Sequence, residues 1–145
     1  MTLLENPYFV VPLIAWAIAQ TSKVIIDSVL LHRLSVRRLA TAGGMPSSHS
    51  ALVVSLTTII GRLQGIESPL FALALIFSSV VMYDATGVRR AAGQQAMILN
   101  RLLDDVLIAH RGIHQQRLRE LLGHTPIEVI AGAALGIVIG LGLWR

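Results

Sequence analysis

Two histidines in this chain stand at junctions where a polar, glycine-led run meets a long apolar stretch. His49 follows Gly43-Gly44-Met45-Pro46-Ser47-Ser48, and His124 sits between Gly123 and Thr125-Pro126-Ile127-Glu128. A helix starting at either junction aims free backbone N–H groups and the positive end of its dipole at the junction, where an anion such as phosphate is favoured. Ser47 and Ser48 add two hydroxyls, and His49 is suited to general-acid work on a phosphate held there. His124 and Glu128 are four residues apart, so on a helix the carboxylate orients the imidazole and raises its basicity. Lys23, Arg89 and Arg90 are cations able to neutralise a phosphoryl group and the charge of its transition state.

Each of these residues also has a plainer reading. Ser47 is a good N-cap, and Thr125-Pro126-Ile127-Glu128 spells a capping box with proline at the first helical position. The arginine pair suits a membrane edge, and Lys23 can snorkel or pair with Asp27 four residues on. Asp84 is a possible site residue, either in a magnesium site or paired with a neighbouring arginine. Asp104 and Asp105 fit a solvated face. His32, His110 and His114 read as surface or interface histidines. Capping explains the serines but neither imidazole.

The elements that must position these groups are apolar helices. Of 145 residues, 54% are hydrophobic and only 14% charged, and the mean hydropathy is +0.68. That balance points to a membrane protein. Cysteine is absent, which excludes disulfides and thiolate metal sites. The net charge of +4 is better assigned to membrane topology or anionic lipid than to nucleic acid, and no nucleic-acid partner is expected. Met1 to Pro7 carry Glu5 and no basic cluster, so no cleavable signal peptide is predicted.

Four apolar helices are predicted: Tyr8 to Leu31, Ser47 to Leu63, Pro69 to Val88 and Pro126 to Trp144. Each is near the roughly 20 residues a bilayer span needs, the second being the weakest. Between the third and fourth, Ala92, Ala96, Leu99, Leu103, Val106 and His110 recur at spacings of four and three. This predicts an amphipathic helix against the membrane or over the site, broken at Gly112 and followed by a short basic helix, His114 to Leu122. Gly132, Gly136 and Gly140 recur every four residues on the last span. They predict close approach of another helix, within the chain or in a dimer, and the intramolecular reading is preferred.

Threading these spans up and down collects the polar residues. Lys23, Asp27, Ser47, Ser48, His49, Asp84, Arg89, Arg90, His124 and Glu128 fall on one side of the membrane. Ionisable groups at that depth are costly and usually functional. Ten of the twelve lysines and arginines lie on the same side, leaving Arg62 and Arg145 opposite. The bias predicts that the site side is cytoplasmic.

Three segments together resemble one family. Gly44-Met45-Pro46-Ser47-Ser48-His49-Ser50-Ala51, Tyr83-Asp84-Ala85-Thr86-Gly87-Val88-Arg89-Arg90 and Leu122-Gly123-His124-Thr125-Pro126-Ile127-Glu128-Val129 are similar to the small divergent branch of the type 2 phosphatidic acid phosphatase and vanadium haloperoxidase superfamily. The resemblance implies that His124 is a nucleophile forming a phosphohistidine. Glu128 then stands for the aspartate that orients it, and His49 for the acid on the leaving oxygen. Ser47 and Ser48 match the phosphate-binding turn, Ser48 at a position usually glycine, and Lys23 matches the first-motif lysine. Two family features are missing. Arg33 is followed by Leu34 rather than proline, and Leu118 sits where an arginine is expected, flanked by Arg117 and Arg119; Arg89 or Arg90 is the candidate substitute.

The expectation is therefore an all-α integral membrane bundle of about four spans plus an amphipathic segment, forming a single phosphatase-like domain over 1–145. It acts on a lipid phosphate or diphosphate without cofactor or metal, in the plasma (inner) membrane, with homo-oligomerisation possible. The alternative expectation is a non-catalytic membrane protein that binds or moves anionic lipid or phosphate.

Overall fold

Long apolar runs close into helices because a helix satisfies its own backbone groups where water is absent. The computed structural model describes residues 2–31, 44–109, 118 and 123–144. It contains α1 (Pro7–Leu31), α2 (Ser48–Gln64), α3 (Pro69–Thr86), α4 (Val88–Ala109) and α5 (Pro126–Gly142), preceded by a 3-10 turn at Leu3–Glu5. No strand occurs among the described residues.

The helix starts follow local chemistry. Asn6 accepts from the Tyr8 N–H ahead of α1. Ser47, Ser68 and Thr125 cap α2, α3 and α5 through their hydroxyls, and Pro69 and Pro126 open the helices after the last two caps. Gly65 ends α2 with φ +85°, a conformation other residues rarely adopt. The sequence expects the third helix to reach Val88; instead it stops at Thr86, and α4 begins after the single residue Gly87. The Gly87 N–H still bonds the Tyr83 carbonyl at 2.9 Å, but its φ −100°, ψ −85° leave the helical region and break the run. Arg89 and Arg90 therefore belong to the first turn of α4 rather than to the end of α3.

The centre of the bundle is α2, packed against α1, α3 and α5. Tyr8 meets Gln64 at one end of α1 and Lys23 meets Ser48 at the other, so α1 and α2 are antiparallel. Thr57 and Ser78 share a hydrogen bond at 2.7 Å, and Ser78 donates to the Val53 carbonyl at 3.0 Å, tying α2 to antiparallel α3. α5 runs parallel to α2. Gly132 lies on Ser47 and Ser50, Gly136 on Ala51 and Ser55, Gly140 on Ser55 and Thr58. The glycine face predicted from sequence is thus consumed inside the bundle. α4 packs on α3 and on no other described helix.

Burial is inverted relative to a soluble bundle. The buried side chains are mostly small or hydroxylic, including Ala15, Ala19, Ser50, Ala51, Ser55, Thr57 and Ser78. Leu13, Trp16, Leu73, Ile76, Phe77, Ile130 and Val138 face outward. Such a belt would be a large uncovered apolar patch in water, whereas lipid covers it without penalty. Two stretches are long and apolar enough to cross a bilayer, Pro7–Ile26 and the one opening at Pro69, and α5 is a shorter apolar helix. The chain thus folds as an all-helical bundle that fits a membrane. α2 carries the hydroxyls because its neighbours, not lipid, surround it.

At Gly136 an added Cβ would lie 2.7 Å from the Ala51 carbonyl oxygen and 2.9 Å from the Ser55 nitrogen. Gly136→Leu is therefore expected to cost about 2 kcal/mol by overpacking. The check is the unfolding midpoint of purified protein in detergent. An unchanged midpoint with loss of a dimer would instead make the glycine face intermolecular.

Candidate functional site

The first mouth is built around α2's N-terminus. Ser47 Oγ accepts from the Ser50 hydroxyl at 3.0 Å and the Ser50 N–H at 3.4 Å. Its backbone N–H donates to the Glu128 carbonyl at 2.9 Å, which laces the start of α2 to the first turn of α5. Ser48 is buried, and Lys23 Nζ donates to its hydroxyl at 3.3 Å. Lys23 itself is only 6% exposed, although it carries an ammonium. Its stem passes Gly44, where φ is +87°. The Ser48 side chain is thus a direct partner of the lysine. His49 is exposed and projects from the same turn.

The second mouth is pinned from three sides. The His124 N–H donates to the Ala85 carbonyl at 3.1 Å, fixing it to the end of α3. Gly123 lies against the backbone of Arg89 and Arg90; an added Cβ would approach Arg89 C and Arg90 Cα to 2.8 Å. His124 Nδ1 lies 2.8 Å from Glu128 Oε2. The same carboxylate oxygen accepts from the Thr125 N–H at 3.3 Å, and Thr125 Oγ1 accepts from the Glu128 N–H at 3.4 Å. Glu128 therefore completes the capping box and holds the imidazole at once, so the two readings of the sequence coexist.

His124 is 3% exposed, and its Nε2 is a buried nitrogen without a hydrogen-bond partner among the described residues. A buried, unsatisfied polar atom is rare and calls for an explanation. If Nδ1 carries the proton that the carboxylate accepts, Nε2 presents a bare lone pair.

Arg89 and Asp84 form an ion pair, Nε to Oδ2, at 2.6 Å. Asp84 thus pairs with an arginine, the plainer of its two readings. A cavity of about 190 Å³ lies beside them, lined by His49, Val80, Val81, Asp84, Ala85 and Arg89. Arg89, His124 and Lys23 all interact electrostatically with His49, so the two mouths and both cations share one neighbourhood. Arg90 is exposed, with its backbone against Gly123. No group of three His, Asp or Glu side chains able to hold a metal occurs among the described residues. The side chains of Asp27, Asp105 and Val106, and all of His32, Arg33, Leu34, Arg37, Arg38, His110, Gly112, His114, Arg117 and Arg119, lie outside the described residues.

Asn100 lies near the middle of α4. It is 5% exposed, and its side-chain amide pairs with the backbone of Leu118 in both directions. Nδ2 donates to the Leu118 carbonyl and Oδ1 accepts from the Leu118 N–H, each at 2.9 Å. This clamp ties α4 to Leu118, six positions before His124 in the sequence. Its only signal in the sequence is an uncharged amide in the middle of α4, where helix propensity is poor.

The arrangement brings two helix N-termini, a lysine and two imidazoles into one neighbourhood, and one imidazole nitrogen is buried without a partner among the described residues. The sequence model of the Divergent PAP2 family matches residues 4–139. An uncharacterized membrane protein, YuiD, of Bacillus subtilis (strain 168) is 41% identical over 153 aligned residues, covering 99% of this chain and 97% of that protein. No solved structure matches.

Asn100→Ala is expected to cost about 1 kcal/mol, since it removes two part-buried hydrogen bonds to the Leu118 backbone. Asn100→Asp should show a similar loss at neutral pH and recover in acid, where a protonated carboxyl again donates to the Leu118 carbonyl. Thermal unfolding of both variants across pH checks the clamp. Wild-type stability in Asn100→Ala would show that it contributes nothing.

Proposed function

Because the chain belongs to the divergent PAP2 family, we propose that it is a membrane phosphatase hydrolysing a lipid phosphate or diphosphate through a phosphohistidine. In this reading the whole chain, 1–145, is one membrane-embedded domain with its site on the cytoplasmic side. The observation that carries the reading is His124: Nδ1 is held by Glu128 at 2.8 Å while Nε2 is buried and unpartnered among the described residues. An imidazole held by a carboxylate at Nδ1 and bare at Nε2 is suited to attack an electrophile through Nε2.

The steps balance as follows. His124 Nε2 attacks phosphorus in line, and the bond from phosphorus to the ester oxygen breaks. Protonated His49 gives its proton to the departing oxygen. Lys23, Ser48 and the backbone N–H groups at the two mouths hold the equatorial oxygens as charge moves onto them. Arg89 offers a further cation beside His49. Water, deprotonated by the now neutral His49, then attacks the phosphohistidine; phosphate leaves and both imidazoles return to their starting states. Glu128 stabilises the charge that develops on His124 and keeps its tautomer fixed.

A specific observation favours a second reading, in which the site binds or moves anionic lipid without cleaving it. Arg89, the candidate for the missing arginine, is engaged by Asp84, and Lys23 is engaged by Ser48. Phosphate release from a panel of lipid phosphates, with vanadate as inhibitor, separates the two. Release that vanadate blocks supports hydrolysis, whereas binding without release supports the alternative.

His124→Ala is expected to abolish release while leaving the unfolding midpoint near wild type, and retained turnover would sink the nucleophile. Glu128→Gln should lower kcat roughly 10²-fold or more, with KM little changed, because it leaves the imidazole positioned but no longer charge-stabilised. Acid-labile phosphate trapped on wild type, and missing from His124→Ala, would identify the intermediate.

A further inference from the structure

The cavity beside His49 has a chemical character that the phosphate site does not need. Its polar groups are His49 and the Asp84–Arg89 pair; its remaining walls are Val80, Val81 and Ala85. Nor is it closed. Val80 is 60% exposed, and Leu73, Ile76 and Phe77, one and two turns back on the same face of α3, are likewise exposed. The cleft between α2 and α3 thus runs from His49 out onto an apolar stripe roughly 10 Å long.

We propose that this cleft receives the leaving group, and that the substrate is the phosphate monoester of a hydrocarbon alcohol, such as a long-chain or isoprenoid alcohol. The proposal rests on the phosphatase reading above, in which the leaving oxygen departs toward His49. Whatever is attached to that oxygen then enters the cleft. Valine and alanine walls suit methylene and methyl groups, whereas ester carbonyls or hydroxyls of a glycerol backbone would find partners only at His49, which serves the leaving oxygen, and at Arg89 and Asp84, which are engaged with each other. A diphosphate would set a second phosphate against the valine and alanine walls and beside the Asp84 carboxylate that already occupies Arg89. At about 190 Å³ the cavity is smaller than the roughly 300 Å³ at which ordinary ligand pockets begin, so it holds the first carbons only. The rest of the chain leaves sideways along the α3 stripe into lipid, without crossing the polar mouth.

A second cavity, between α3 and α5, is lined by Met82, Tyr83, Pro126, Val129 and Ile130 among others. It is the competing path, and the experiment distinguishes the two. An isoprenyl monophosphate carrying a diazirine near its phosphate end is photolysed with full-length His124→Ala protein in detergent, and the labelled peptide is identified by mass spectrometry. The expected label falls on Val80, Val81 or Ala85. It is competed by unlabelled isoprenyl monophosphate at least tenfold better than by diacylglycerol phosphate of matched length. Label on Tyr83, Val129 or Ile130, or equal competition by the two lipids, overturns the proposal.

Val81→Thr, an isosteric change that adds a hydroxyl, is the second arm. In active protein it should shift the ratio of kcat/KM for the two substrates at least fivefold toward the glycerolipid; an unchanged ratio counts against the subsite. Label in the cleft without phosphate release from any substrate keeps the subsite and refutes the phosphatase reading. Release with label elsewhere does the reverse.

Discussion

The parallel seam between α2 and α5 is the constraint on which the rest of the molecule depends. Three glycines on α5 let the helices approach until Gly132 lies on the Ser47 carbonyl, and the Ser47 N–H then reaches the Glu128 carbonyl. Parallel helices in contact put their positive ends side by side, an arrangement that is unfavourable unless negative charge gathers there. Glu128 supplies one negative charge in the first turn of α5. Lys23 and Arg89 lie nearby, and Arg89 is matched by Asp84. In the reading proposed above, a bound anion offsets the two helix dipoles that meet there.

The bilayer-facing surface and the site share one cause. Lipid rewards large apolar side chains on the outside as much as a core would, so the interior is free to be small and polar. α2 uses that freedom, burying Ser48, Ser50, Ser55 and Thr57 among its neighbours. Hydroxyls that would weaken the core of a soluble bundle here donate to carbonyls of their own or adjacent helices. The same small side chains let α1, α3 and α5 all approach α2, and this proximity brings Lys23, Ala85 and His124 to its first turn.

Much of this could be read in the sequence because it follows from periodicity and threading. Apolar run lengths located the helices, and up-down threading put Lys23, Ser48, His49 and His124 at one end. The capping box at Thr125 and the four-residue step of the glycines were also legible, since both are local patterns. Contacts between distant segments were not. Nothing in the chain marks the Ala85 carbonyl as the anchor for His124, or Leu118 as the partner of Asn100, because backbone groups carry no sequence signature. Asp84 remained open between two readings for a related reason: five residues to Arg89 is not a standard helical pairing. The break at Gly87, which brings the two side chains together, depends on a backbone conformation that composition leaves undetermined.

Ser48 has a consequence for entropy. A free lysine side chain carries about 2 kcal/mol of rotamer freedom, normally surrendered when it closes on a ligand. Lys23 loses that freedom on folding instead, held between the Ser48 hydroxyl and the turn at Gly44. In the proposed reading, an anion entering the mouth meets a cation already in position. The ordering occurs once, when the bundle forms, and is not repeated with each ligand.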